Sequence, residues 1–222
     1  MKVVFCLPGT TFSWRFLQCW TNTINYCLAN GIQPLVSQAQ SNNVYMVRNK
    51  CLGADVMRGA EQQPFNGQLD YSKIVWLDAD SVWTPQQLQR LLNHDVAIVG
   101  ALQPFEGGSG YTCGWLDAGF FKANGYMPYL TDEKLKTAQL AENGLLLVDY
   151  CGLGMLVVKR GVYEALPYPW HRPVWFNYTI NGKEVTDFSM DDVGWAMQAK
   201  QAGFQVYVDP AVRIGHEKTV VW

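Results

Sequence analysis

The chain has 222 residues, 49% apolar and 16% charged, with a formal net charge of −2 at pH 7. That composition is globular, long enough to bury a full core as one domain, and unlike that of a disordered chain. With no basic block, nucleic acid is excluded as an expected partner, and no window is long and apolar enough for a membrane span.

The first apolar run, residues 2–7, is continuous, as in a strand covered on both faces. Only five apolar residues separate Lys2 from Pro8, too few for a signal peptide, so the expected localisation is cytoplasmic. The cysteines (Cys6, Cys19, Cys27, Cys51, Cys113 and Cys151) are scattered without a C-x-x-C pair. They read as reduced core thiols and not as a zinc site or a disulfide framework. The sequon Asn177-Tyr178-Thr179, lacking a secretory signal, reads as coincidence.

A helix is expected over 13–29, opening at Ser13. Residues 32–38 form a second strand, and Pro34 there demands an edge or irregular position. A mostly helical stretch over 44–60 leads to a third strand at 73–77. Thr84 and Gln87 form a capping box, with Pro85 at the first helical position, and a fourth strand follows at 95–102. This alternation predicts an α/β fold, a mostly parallel central sheet with helices on both faces.

Residues 103–144 are rich in Gly and aromatics without a clear period, which predicts hairpins and long loops. Strands return at 145–150 and 154–160, and a second irregular aromatic stretch occupies 166–185. The chain then reads as a helix over 189–202 and strands at 204–208 and 212–216.

The third strand runs directly into Asp78-Ala79-Asp80. Side chains alternate along a strand, so the two carboxylates point the same way at its carboxyl end, where open α/β sheets gather ligands. They either cap the turn before Thr84 or form a hard-oxygen site for Mg²⁺ or Mn²⁺. A second acidic pair, Asp191 and Asp192, falls in the first turn of the helix expected to be capped by Ser189. There it either complements the helix dipole or aims a carboxylate into a cleft as a general base. His216, at the last strand end, is either an ordinary polar residue or a nitrogen ligand beside Asp80. The aromatics of the irregular stretches, Trp115, Phe120, Tyr126, Tyr129, Trp170, Trp175 and Tyr178, either pack the core or offer ring faces to a sugar. Trp115 and Trp170 are the candidate acceptor contacts.

Taken in order, these pieces resemble a GT-A-fold glycosyltransferase, most like family 2 and its relatives. The resemblance rests on Pro8 after the first strand, "YMVRNKCLGAD" (45–55), "KIVWLDADSVWTPQQLQRLL" (73–92), "VDYCGLGMLVVKRGVYEALPYPW" (148–170) and "MDDVGWAMQAKQAGFQVYVDPAVRIGH" (190–216). It implies one domain over 1–222, with a nucleotide-sugar-binding half (1–102) and an acceptor-side half (103–222). It implies Mn²⁺ or Mg²⁺ held by Asp78, Asp80 and His216, with Pro8, Gly9, Thr10, Thr11, Arg48 and Ala79 also at the donor. It further implies an inverting transfer from a nucleotide-diphosphate sugar to a carbohydrate or other hydroxyl acceptor, with Asp192 or its neighbour Asp191 as base. Ser37, Gln38 and Gln40 stand where the family often has an acidic residue, which leaves the nucleotide open. The alternative is a non-catalytic nucleotide-sugar or carbohydrate-binding protein on the same fold. A nucleotidyltransferase is disfavoured, because "LPGTTFSWRF" is a poor phosphate loop.

Overall fold

The computed structural model describes residues 1–218. The last four residues of the expected acceptor-side half lie outside them. The first half follows the predicted alternation: β1 (Lys2–Pro8), α1 (Trp14–Ala29), β2 (Gln33–Ala39), α2 (Val44–Cys51), β3 (Lys73–Leu77), β4 (Ser81–Val82), α3 (Pro85–Asn93) and β5 (Ile98–Leu102). Ser13 caps α1 by accepting the Phe16 N–H, and Thr84 and Gln87 close the full capping box on α3.

The second half contains β6 (Tyr111–Gly114), α4 (Ala118–Asn124), β7 (Tyr129–Leu130), α5 (Asp132–Thr137), β8 (Leu146–Val148), β9 (Tyr150–Cys151) and β10 (Met155–Lys159). It continues with β11 (Trp175–Ile180), β12 (Lys183–Phe188), α6 (Asp191–Gln201), β13 (Val206–Arg213) and β14 (Gly215–His216). The central sheet runs β2-β1-β3-β10-β5-β13-β8. Its β2-β1-β3 and β5-β13 pairs are parallel, while β10 and β8 run antiparallel to their neighbours. The sheet is therefore mixed but mostly parallel, and β2 takes the edge that Pro34 requires.

Alternate strand residues feed two apolar cores, one on each sheet face. Val3, Phe5, Val75 and Leu77 pack with Phe16, Leu88 and Leu91. Val4, Cys6, Ile74 and Trp76 pack with Leu52, Trp170 and Trp195 on the other side. All six cysteines are free and buried. Among the described residues no helix is long and apolar enough to cross a membrane.

Five expectations need correction. The helix expected over 44–60 stops at Cys51. Gly53 turns the chain at φ +77°, where a Cβ would sit 3.2 Å from the Phe65 backbone. The 103–144 stretch holds two short helices, capped by Asp117 and Thr131, as well as loops. Much of the 166–185 stretch is the β11–β12 hairpin, paired only with itself. The segment 145–150 divides between β8, in the main sheet, and β9, which pairs with β6. The two expected last strands are the single strand β13 plus the short β14, and a register shift between Asp209 and Arg213 accommodates Pro210.

Candidate active site: two clefts joined by one arginine

The first cleft, of about 600 Å³, opens at the carboxyl ends of β1 and β3. Pro8, Gly9, Thr11 and Ser13 line one side, Ser41, Asn42 and Arg48 another, and Asp78, Ala79, Asp80 and Glu217 the floor and rim. Thr10, expected here, is not among the lining residues; Thr11 is. Gly9 adopts φ +147°, and a Cβ on it would lie 3.2 Å from Ala79 Cβ. Glycine lets β1 and the Asp78-Ala79-Asp80 turn close on each other.

Asp78 and Asp80 both face this cleft but have different partners. Asp78 Oδ1 accepts from Arg48 Nη1 at 2.5 Å. Asp80 Oδ2 lies 3.0 Å from His216 Nε2 and accepts from Lys218 Nζ at 2.7 Å. The β14–β4 pairing brings Gly215 and His216 there, and the Glu217 N–H donates to the Asp80 carbonyl at 2.7 Å. His216 Nδ1 donates to the Pro104 carbonyl at 2.9 Å, which orients the ring so that Nε2 faces Asp80.

Among the described residues no group of three or more His, Cys, Asp or Glu side chains is arranged to hold a metal ion. The expected triplet comes together only in part, since Asp78 is turned to Arg48. Asp80 and His216 nonetheless fit a divalent ion: one oxygen and one oriented nitrogen, in an open cleft with room for phosphate oxygens and water.

The second cleft, of about 430 Å³, is lined by residues between Phe105 and Val193, in the second half of the chain. Asp191 and Asp192 line it, at the start of α6. Ser189 does not cap that helix as expected. Its Oγ instead accepts the Val174 N–H at 2.9 Å, and its carbonyl accepts from the Tyr45 hydroxyl, tying the hairpin base to α2.

Arg48 joins the clefts. Its side chain is buried, and Nε donates to Asp191 Oδ2 at 3.0 Å while Nη1 holds Asp78. Burial alone would lower its pKa, but the two carboxylates raise it, so the guanidinium stays charged between them. Asp192 has no basic partner among the described residues. Its Oδ1 accepts only the Val193 N–H, at 2.7 Å. Burial, then the adjacent Asp191 charge, pushes its pKa up to about 7.

The two tryptophans lie elsewhere. Trp170 is fully buried in the core, edge-on to Tyr168, with no ring atom open to an acceptor. Trp115 packs partly buried against the core, donates to the Leu147 carbonyl at 3.2 Å and lines neither cleft. Tyr126 and Tyr129 do line the second cleft. Lys218 and Glu217 at the first cleft, and the β11–β12 hairpin at the second, were not anticipated. Their only sequence signals were charged neighbours of His216 and a Gly182 turn between alternating residues.

Comparison with solved structures fixes the fold. The catalytic domain of Drosophila β1,4-galactosyltransferase 7, in complex with xylobiose, matches over 98% of this chain and 71% of its own, with a TM-score of 0.51 and 11% identity. The chain has the GT-A fold. GalNAc-T7 with UDP, GalNAc and Mn²⁺ matches over 99% of this chain but only 44% of its own, with a TM-score of 0.53 and 12% identity. A mutant of the Drosophila enzyme, with manganese, UDP-Gal and xylobiose, matches over the same 98% and 71% at a TM-score of 0.51. No family model and no curated protein matches the chain.

Proposed function

We propose that this GT-A chain is a glycosyltransferase that moves a sugar from a nucleotide diphosphate in the first cleft to a hydroxyl in the second. The observation that carries this reading is the Asp78–Arg48–Asp191 chain. It ties a donor-side carboxylate to the helix start that presents Asp192. Residues 1–102 then serve the donor and most of the rest serves the acceptor, with His216, Glu217 and Lys218 returning to the donor side.

The same chain divides the labour between the two neighbouring aspartates. Asp191 is ion-paired with Arg48 and acts as a positioning residue. Asp192 is unpaired, and a proton affinity near 7 makes it a far better base than an ordinary aspartate. In the reaction Asp192 takes the proton of the acceptor hydroxyl. The oxygen attacks the anomeric carbon from the face opposite the leaving group. The bond from that carbon to the diphosphate breaks, its electron pair leaves with the nucleotide, and the configuration inverts. A divalent cation held by Asp80 and His216 would supply positive charge to the departing diphosphate. The nitrogen ligand favours Mn²⁺ over Mg²⁺.

Two of the matched structures hold UDP or UDP-Gal with manganese, so UDP-sugars are the first donors to test. The test is release of nucleoside diphosphate from UDP-, GDP- and CDP-sugars with Mn²⁺ or Mg²⁺. The expected result is metal-dependent release with one donor class, lost in Asp192→Asn while nucleotide binding persists. Binding with no release under any combination would leave a carbohydrate-binding protein and end the enzymatic reading.

A further inference from the structure

The second cleft has a chemical character that the first lacks. Phe105, Tyr126, Tyr129, Phe176, Phe188 and Met190 form much of its wall. The rings support one another: Phe105 meets Tyr129 edge-on at 4.4 Å, and Tyr126 stacks with Tyr129 at 6.0 Å. No Lys, Arg or His lines it among the described residues. The nearby ammonium groups are engaged elsewhere. Lys134 donates to the Tyr129 carbonyl at 2.9 Å, and Lys122 lies over the Tyr178 ring. The charged groups that do line the cleft are Asp187, Asp191 and Asp192. A phosphate or carboxylate entering it would face three carboxylates, and the cation in contact with one of them, Arg48 on Asp191, lines the other cleft.

Exposure grades along the cleft. Tyr150, Ser189 and Asp191 are buried, whereas Tyr126, Phe188 and Met190 are 49%, 51% and 69% exposed. Trp175, packed edge-on against Phe188, extends this apolar collar outward. A small sugar with its hydroxyl at Asp192 would leave the collar in water. An apolar group attached to that sugar would cover it, a gain proportional to the area removed from water.

We infer that the acceptor is an uncharged glycoside with an apolar aglycone, its sugar hydroxyl at Asp192 and its aglycone against Tyr126, Phe188 and Met190. This rests on the reading of the second cleft as the acceptor side. Octyl β-glucoside and octyl β-galactoside, kept below their micellar concentrations, serve as probes. Their comparators are the free sugars and the sugar 1-phosphates. Calorimetry on the full chain should give roughly tenfold or greater preference for the octyl glycosides over the free sugars, and no binding of the phosphates. Met190→Asp should weaken octyl glycoside binding by roughly tenfold and leave UDP–Mn²⁺ binding unchanged. Met190 is the N-cap of α6, where Asp is favoured, so the helix survives the change.

Equal affinity for free sugars, binding of the phosphates, or indifference to Met190→Asp would each overturn the inference. Octyl glycoside binding without transfer from any donor would sustain it and end the enzymatic reading. Equal transfer to free sugars would do the reverse.

Discussion

The two clefts are built in opposite ways. The first lies on strand ends of the central sheet, and each described charge on its floor has a partner: Asp78 with Arg48, Asp80 with His216 and Lys218, Glu217 with Arg15. The second lies on excursions from that sheet, is walled by rings, and contains in Asp192 a carboxylate without a basic partner. A charge-balanced site suits a ligand that brings its own charge, and a ring-walled site with one carboxylate free of a basic partner suits proton removal. The contrast holds only while Arg48 serves both clefts.

Arg48→Met should therefore have the largest effect. It would leave Asp78 and Asp191 without their common cation, and breaking a buried pair from one side costs about 3–5 kcal/mol. Urea unfolding should show that loss, and both nucleotide binding and turnover should fall. A variant that loses turnover but keeps stability and nucleotide binding would show that the clefts are not coupled through this residue.

Asp192→Asn separates the clefts. Removing a positioned base typically costs about 10²–10⁴-fold in rate. The expected outcome is a fall of that order in kcat with nucleotide affinity unchanged. An equal fall in Asp191→Asn, with Asp192→Asn near normal, would reverse the two roles.

The sequence revealed the first cleft better than the second, for a physical reason. Continuous apolar runs and a capping box are local signals, so β1, β3 and α3 were readable, and Asp78 and Asp80 with them. The aromatic excursions carry no period because their rings pack on one another and not along one face. Trp170, expected at an acceptor, is core; Tyr126 and Tyr129, equally visible in the sequence, line the cleft. The double ion pair of Arg48 spans 143 positions to Asp191, and no local pattern encodes it. The different surroundings of Asp191 and Asp192 therefore became visible only in the structure.

The raised pKa of Asp192 sharpens the contrast through pH. Its folded value is about 7 and the ordinary aspartate value 3.8, so between them the folded state holds a proton that the unfolded state has lost. Stability therefore falls as pH rises through that window and levels off above it. Asp192→Asn removes this cost. The variant should unfold at a higher temperature than the parent at pH 8, by at most about 4 kcal/mol in stability, and the gap should close towards pH 4. Activity moves the other way, with kcat/KM of the parent rising towards a plateau above about pH 7 as the base ionises. Opposite pH slopes for stability and activity, both lost in one variant, would tie the two effects to the same group.

The smallest expected effect tests the charge balance of the first cleft. Lys218 sits on the Asp80 oxygen that a divalent ion would use, and both side chains are about 40% exposed. An exposed ion pair of this kind contributes about 0.2–1 kcal/mol, and a metal ion taking that oxygen would have to break it. Lys218→Ala should therefore tighten Mn²⁺ binding roughly twofold to fivefold, measured calorimetrically without nucleotide. The gain should shrink at high salt, which already screens the pair. If the variant binds Mn²⁺ more weakly, Lys218 supports the site instead of competing for it. If neither protein binds Mn²⁺ alone, the two described ligands are insufficient without a diphosphate, and the same titration repeated with UDP present would show whether the nucleotide completes the site.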